Sequence, residues 1–272
     1  MPGGAVAGQP SGPPRGMVGN GWEIVNLRES HRSTIGLEVA RWLRARSPQL
    51  SWGRRWSFAC VSARCIYCGG RGDLGAIDLC EACLMSLPWL PPPPPPPPRG
   101  ACRAVFAYQS PIDEDLRALK FRGDLRPARV LGALCAAVID LAGASPQGIV
   151  PVPLHAQRLR ERGFNQTNRL ARQCAAWLGI PVHERWLLRC RATAAQTSLS
   201  AVDRRRNVQG AFTLSPQGFG ALALARPRLL LLDDVLTTGA TLQAACSAFG
   251  AAAEVQCWTV AMAMPMKMTR PT

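Results

Sequence analysis

The chain has 272 residues, 47% of them hydrophobic, and a formal net charge of +15. That length holds one full α/β domain and a smaller module, and no apolar run approaches the ~18 residues that a membrane-spanning helix needs, which excludes insertion into a bilayer. The Gly- and Pro-rich first 20 residues lack an apolar core of the secretory type, so the expectation is a cytoplasmic, reducing setting in which the eleven cysteines are metal ligands and buried thiols rather than disulfides.

Positive charge favours acidic partners such as nucleic acid, nucleotides and polyphosphates. Lys120 and Lys267 are the only lysines, and so strong an arginine skew reflects genome base composition as readily as function. The distribution says more than the total. Between His155 and Val208 lie 11 arginines against three acids, Glu161, Glu184 and Asp203, a local net of +8.

Residues 1–35 begin Gly-, Pro- and polar-rich, lack periodicity and read as disordered. Leu37, Ala40 and Leu43 recur at helical spacing and predict a short helix within residues 35–50. A cysteine cluster follows at 60–90, and then the eight prolines of 91–98, a stiff polyproline II spacer of ~3.1 Å per residue. Residues 104–108 predict a strand, and 116–121 and 128–141 predict helices parted by Arg122-Gly123-Asp124. A second strand is expected at 148–152. Residues 168–178 predict a helix, with Leu170, Cys174 and Leu178 at i, i+4 and i+8 and Gly179 as its stop. Leu229 to Leu232 form an apolar run of the kind buried on both faces of a sheet. Leu242, Ala245, Cys246 and Phe249 mark another helix before Gly250, and 255–261 a last strand. Strands separated by helices predict a parallel sheet. The organisation that follows is an extension with a short helix at 1–59, a zinc ribbon at 60–90, a linker at 91–100, the α/β domain at 101–264 and a tail at 265–272.

Cys65-x2-Cys68 and Cys80-x2-Cys83 stand 11 residues apart. Each Cys-x2-Cys turn presents two thiolates to one tetrahedral ion, and two such turns complete a four-cysteine site. Redox pairs or unrelated buried thiols are the competing readings, and the paired spacing beside a linker favours Zn²⁺. Four protein ligands leave no open position, so the zinc expected on Cys65, Cys68, Cys80 and Cys83 is structural.

The stretch LLLLDDVLTTGATL, residues 229–242, carries the most chemistry. A buried strand ends in Asp233 and Asp234, a Thr237-Thr238-Gly239 turn follows, and Thr241 and Leu242 begin a helix. Backbone N–H groups and threonine hydroxyls at a helix start can hold a phosphate. The carboxylates can accept hydrogen bonds from ribose hydroxyls or sit near Mg²⁺. An ordinary strand–turn–helix with capping aspartates explains a lone acid pair equally well, but not the whole string, which suggests a phosphoribosyl ligand. The string resembles the phosphoribosyl pyrophosphate (PRPP) motif of type I phosphoribosyltransferases. That resemblance implies that Asp233 and Asp234 contact the ribose hydroxyls and that Leu236, Thr237, Thr238, Gly239 and Thr241 wrap the 5′-phosphate. Leu236 is a mild departure from the motif.

Further strings precede it: the proline-terminated IVPVPL of 149–154, RLRERGFNQ of 158–166, and a run from Arg189 to Phe212 with Thr193, Gln196, Leu199, Arg204 and Asn207. Singly they are a strand end, a solvated basic helix and a polar loop. Together with LKFRGD (119–124), the four cysteines and the Asp-Asp string, they closely resemble the ComF/GntX family of competence-type phosphoribosyltransferase-like proteins over about residues 60–261. The resemblance implies a type I phosphoribosyltransferase fold with an N-terminal zinc ribbon, and a link to DNA uptake in natural transformation. The proline octet and the N-terminal extension depart from the compact family form, and the final strand ends in Ala261-Met262-Ala263-Met264 without the arginine often found there.

On that footing the turn after Val152, with Pro153 and either Arg158 or Arg162, holds pyrophosphate, and Mg²⁺ bridges pyrophosphate and ribose. Arg191 and Arg204, on a loop that closes over the site, neutralise charge on the leaving group, since positioned cations rather than a protein nucleophile meet the charge developed in such a displacement. Three functions stay open at this point. One is a phosphoribosyltransferase, an enzyme that transfers a pentosyl group, with an unidentified acceptor. Another is a binder of single-stranded DNA, using the arginines, the ribbon and stacking rings such as Trp177, Trp186 and Phe164, around a non-catalytic PRPP site. The third is a scaffold for a DNA-translocating motor.

Overall fold

The computed structural model describes residues 29–46, 64–74, 77–91, 102–191, 208–224 and 226–263. The disorder expected of the first residues, Cys60, the prolines after Pro91, the loop residues 192–207 with Thr193, Gln196, Leu199, Arg204 and Asn207, and the tail all lie outside them.

Helix α1 is Glu29–Arg46, beginning six residues before the expected start. Helix α2, Glu81–Met85, follows in the cysteine module. The α/β part opens with strand β1 (Cys102–Ala107), helix α3 (Ile112–Arg117), a π-helical turn (Ala118–Arg122) and helix α4 (Arg126–Leu141). Strand β2 (Gly148–Pro151) then leads to helices α5 (Ala156–Arg162) and α6 (Gln166–Leu178). A small hairpin of β3 (Leu187–Arg189) and β4 (Phe212–Leu214) precedes α7 (Pro216–Leu224). Strand β5 (Arg228–Leu236), helix α8 (Ala240–Ser247) and strand β6 (Glu254–Met262) complete the chain.

The main sheet has the order β1-β6-β5-β2, and each of its pairs is parallel, as strands alternating with helices require. The apolar run of β5 explains why this strand is central. Its side chains alternate between faces, and Leu229 to Leu232 are all buried. Leu230 and Leu232 join the core made with α1, α4 and α6. Leu229 and Leu231 join a second core with Leu187, Phe212, Leu222, Leu242 and Phe249 from the hairpin, α7 and the region of α8. Both faces are therefore covered. Helix α4 is apolar nearly all round because it sits inside the first core. Its Gly132 allows α6 to approach so closely that a Cβ there would lie 2.4 Å from Gln173 Cβ and 3.1 Å from the Cys174 backbone nitrogen.

The cysteine module adds Leu74, Ile77, Leu79, Leu84, Leu87 and Trp89 to the same core as α1 and α4. Pro88–Leu90 runs antiparallel to β1: Trp89 pairs with Phe106, Leu90 N–H donates to the Val105 carbonyl at 3.0 Å, and Ala107 N–H donates to the Pro88 carbonyl at 2.8 Å. The exposed backbone of β1 is thereby partnered. At the other edge, Ile149 bridges Val182 in parallel. Among the described residues no helix is long and apolar enough to cross a membrane.

Trp89 joins the two parts. It is buried, its Nε1 donates to the Leu84 carbonyl at 3.0 Å, and its ring centroid lies 4.6 Å from that of Phe106. Trp89→Ala is expected to destabilise the chain by about 3–5 kcal/mol in urea unfolding. A loss below about 1 kcal/mol would contradict a shared core.

Candidate functional site

The site begins where β5 leaves the core. The strand does not end at the acid pair as its sequence suggests; it stays paired with β6 as far as Leu236, opposite Met262. The alternation that separates Leu230 and Leu232 from Leu229 and Leu231 also sends the two carboxylates to opposite faces. Asp234 faces the α6 side, where Lys120 Nζ lies 2.8 Å from its Oδ2 and Gln166 Nε2 donates to the same oxygen at 2.7 Å. Asp233 faces the hairpin side, in the electrostatic reach of Arg189.

These surroundings split the pair. Burial pushes the Asp233 carboxyl up to about 7, and the neighbouring Asp234 charge adds to the rise. Burial acts on Asp234 too, but the Lys120 charge and the hydrogen bonds from Lys120 and Gln166 outweigh it and hold this carboxyl below its usual range. Asp234 is 7% exposed and fixed; Asp233 is the more accessible partner.

After Leu236 the chain turns through Thr237 and Thr238 to Gly239, whose φ of 74° is left-handed and favours glycine. Helix α8 starts there without a side-chain cap, so the N–H groups of its first turn are suited to an anion. Leu236, Thr237, Gly239 and Thr241 line a cavity of about 470 Å³ together with both aspartates. Thr238 belongs to the turn but not to the cavity wall.

The opposite wall comes from the turn after β2. Val152 N–H donates to the Leu232 carbonyl at 2.8 Å, which ties this turn to β5. Asn165 caps α6 by accepting from Thr167 N–H at 3.0 Å, and its Nδ2 donates to the Val152 carbonyl at 3.0 Å. The Asn of RGFNQ thus sets the distance between the β2 turn and α6, and the Gln places its amide on Asp234. Pro153, Arg158 and Arg162 line the cavity. Arg162 Nη1 donates to Gln166 Oε1 at 2.7 Å. Burial lowers the pKa of Arg162, with Asp234 partly offsetting it, and burial likewise lowers that of Arg189. A desolvated guanidinium gains most from an anion that restores its lost solvation.

Arg191 is elsewhere: it is exposed and its Nη2 donates to the Gln209 carbonyl at 2.8 Å, off the cavity wall. Arg204 lies outside the described residues. Conversely, Tyr108, Lys120, Phe121, Gln166 and Arg189 line the cavity, though no role follows for them from sequence alone. Lys120 and Gln166 do lie in the conspicuous strings LKFRGD and RGFNQ, and Arg189 opens the third string.

A second group of donors sits in the cysteine module. The Sγ atoms of Cys65, Cys68, Cys80 and Cys83 lie within 4.8 Å of one another, close enough to hold one metal ion such as zinc. The first turn closes through Gly69 N–H to the Cys65 carbonyl at 2.9 Å, and Cys80 caps α2 by accepting from Cys83 N–H. Burial opposes ionisation of Cys65, but backbone N–H groups of Cys68, Cys80 and Tyr67 bring its thiol down to about 7. Burial and the neighbouring thiols push Cys83 up. A divalent cation resolves that conflict by accepting all four as thiolates.

No family model matches the chain. It is 29% identical over 202 residues to competence protein F of Haemophilus influenzae, covering 66% of this chain and 87% of that protein. It is 35% identical over 162 residues to the DNA utilization protein YhgH of Salmonella typhi, covering 57% of this chain and 69% of that protein. Competence protein ComFC of Bacillus subtilis is 29% identical over 170 residues, with 58% of this chain and 62% of that protein covered.

Lys120→Met is expected to cost about 3 kcal/mol at pH 7, because it leaves a buried carboxylate without its cation. The sign with pH follows from the lowered pKa of Asp234. The pair's stabilisation is complete above the unfolded carboxyl value and fades as pH falls through the lower folded one. In the variant the carboxyl titrates higher, so its deficit shrinks between pH 7 and pH 5; a pH-independent deficit in urea unfolding contradicts the pairing. For the cysteines, a strong chelator is expected to release one zinc per chain and lower the thermal midpoint by several degrees, because the module shares the main core. Zinc release with an unchanged midpoint would show that the four-cysteine site contributes nothing to that core.

Proposed function

The chain belongs to the ComF family, and on that premise we propose that it is a phosphoribosyltransferase-like protein that binds PRPP with Mg²⁺ and serves the uptake and use of DNA. The relatives carry names from competence and DNA utilization, which supports the second half. One observation carries the first half: the accessible Asp233, the fixed Asp234, an uncapped helix start and the cations Arg158, Arg162 and Arg189 all border one cavity.

Each group then has a task. Asp233 accepts hydrogen bonds from ribose hydroxyls, and Asp234, held by Lys120 and Gln166, fixes the backbone from which it does so. The 5′-phosphate lies on the N–H groups of residues 237–241. The pyrophosphate lies between the Pro153 turn and Arg158 and Arg162, with Arg189 closing the side toward the hairpin. When bound, Mg²⁺ supplies positive charge to the pyrophosphate. Zinc on the four cysteines is structural, since the ligand set leaves no open position.

Binding of single-stranded DNA around a non-catalytic PRPP site is the second reading. Helix α5 favours it: none of its residues is buried, and Arg158 and Arg160 stand exposed on it. A motor partner would use the same role in DNA uptake.

Calorimetric titration of zinc-loaded protein with PRPP and Mg²⁺ is expected to show binding at one site. Asp233→Ala with Asp234→Ala is expected to weaken it at least about 100-fold, since the two ribose-hydroxyl contacts to the Asp233 carboxylate are lost at ~1.5–3 kcal/mol each and the anchor on Asp234 goes with them. A wild type that takes up no PRPP overturns the assignment. DNA affinity measured in parallel at rising salt should fall steeply if several arginines meet phosphates, and a flat response removes the second reading.

A further inference from the structure

The cysteine module is tied to several elements of the α/β part and its flank. Trp89 packs on Phe106 of β1, Glu81 pairs with Arg44 of α1, and Asp78 Oδ2 lies 3.5 Å from Arg129 Nη1 of α4. A further tie leads toward the cleft: the Tyr67 hydroxyl donates to Asp115 Oδ2 of α3 at 2.6 Å. Five positions on from Asp115 is Lys120, whose Nζ lies 2.8 Å from Asp234 Oδ2.

Tyr67 stands inside the Cys65-x2-Cys68 turn, between two of the cysteines that can hold the metal. The turn closes from Gly69 N–H to the Cys65 carbonyl at 2.9 Å and from Cys65 N–H to the Gly70 carbonyl at 2.8 Å. A tetrahedral ion on both thiols fixes the same turn from its other side. The direction in which Tyr67 leaves the backbone is therefore set by the segment that the metal holds. Its ring packs on the shared core, so the hydroxyl reaches α3 at the end of a supported ring.

At the other end, Asp115 is half-buried. Burial is the main cause that raises its carboxyl, and the bond from Tyr67 is the largest influence in the opposite direction. A carboxylate that loses its donor in such surroundings is drawn toward water. Asp115 does not move by itself, because α3 and the π-helical turn share one backbone without a break, with Ile112, Leu116, Ala118 and Leu119 all buried along it. A displacement at Asp115 is carried to Lys120, and a hydrogen-bonded ion pair weakens within a few tenths of an ångström of extra length.

We propose that Tyr67 is a positioning residue of the cleft: through Asp115 and α3 it makes the seating of Lys120 on Asp234 depend on the four-cysteine turn, so that zinc loading tunes the affinity for PRPP. The tuning rests on the PRPP reading above, whereas the dependence of Lys120 on Tyr67 does not. Linkage makes the tuning reciprocal, because the factor that zinc adds to PRPP affinity is the factor that PRPP adds to zinc affinity.

The test has two arms, both on the full chain. The first needs no PRPP. Tyr67→Phe, Lys120→Met and the double variant form a cycle in urea unfolding of zinc-loaded protein. Independent sites multiply within about twofold in the folding equilibrium constant, and this cycle is expected to depart from the product by about threefold or more. A cycle with Asp78→Asn in place of Tyr67→Phe, which cuts the tie to α4 instead, should close within about twofold. If the Tyr67 cycle closes, or both cycles depart equally, Tyr67 has no positioning role. The second arm is calorimetric titration with PRPP and Mg²⁺. Tyr67→Phe is expected to weaken uptake about fivefold or more, at the lower end of usual coupling between sites, while Asp115→Asn, which keeps an oxygen to accept from the hydroxyl, should rescue it. Chelation of zinc should weaken uptake by wild type and add little to the loss in Tyr67→Phe. An equal loss on chelation in both proteins, or uptake unchanged by Tyr67→Phe, overturns the tuning. A departing Tyr67 cycle in a protein that takes up no PRPP leaves Tyr67 positioning Lys120 and removes the cleft reading; PRPP uptake with a closed cycle does the reverse.

Discussion

Two adjacent carboxylates at the end of a buried strand repel each other and lose hydration together, and neither cost is met within the strand itself. Strand geometry supplies the first part of the answer by pointing Asp233 and Asp234 to opposite faces. Cations supply the rest, and each comes from a different element: Lys120 from the π-helical turn, Arg162 from α5, and Arg189 from the end of β3. The packing of these elements around β5 is what brings the charges together. A sheet of ordinary apolar strands would keep its shape without Lys120, but a sheet carrying this acid pair depends on it.

The cysteine module belongs to the same construction. The Tyr67 hydroxyl, in the first Cys-x2-Cys turn, donates to Asp115 Oδ2 at 2.6 Å, and burial pushes that carboxyl up to about 6. Asp115 stands on α3, which runs without a break into the π-helical turn bearing Lys120. Helix α1 closes the arrangement from outside, where Trp42 Nε1 donates to Asp140 at 2.7 Å and Arg46 pairs with the same oxygen. A small four-thiol unit therefore buttresses the element that holds the cation of the acid pair, and the continuous core beneath it makes the contact stiff.

What could be read in the chain beforehand follows from how local each signal is. The leucine run of β5 and the i, i+4 spacing of Leu170 and Cys174 report burial directly, so the parallel sheet and α6 were legible, as was the four-cysteine cluster. The hairpin was not: β3 and β4 have three residues each and are joined only across 22 intervening positions. The acid pair suggests an earlier end to β5, whereas pairing with β6 carries the strand on to Leu236. Lys120 and Gln166 stood in conspicuous strings, but their partner lies 114 and 68 positions away, and only the fold reveals it. Arg191 stands in a string that resembles the family's and on a loop expected to close over the site, but neither signal says where its side chain points, and it bonds to the Gln209 carbonyl instead.

Arginine in place of lysine fits the cleft for a physical reason beyond composition. Lysine is a compact, strongly hydrated charge and suits the point contact that Lys120 makes with a single carboxylate oxygen. Arg162 does several things at once: it donates to Gln166, lies over the Phe121 ring and lines the cavity. A planar, weakly hydrated guanidinium can do this, because its edge forms hydrogen bonds while its face stacks. Gln166 then joins the two systems, since its carbonyl oxygen receives Arg162 and its amide nitrogen donates to Asp234. One amide therefore ties the buried carboxylate of Asp234 to the guanidinium of Arg162 across the cavity wall.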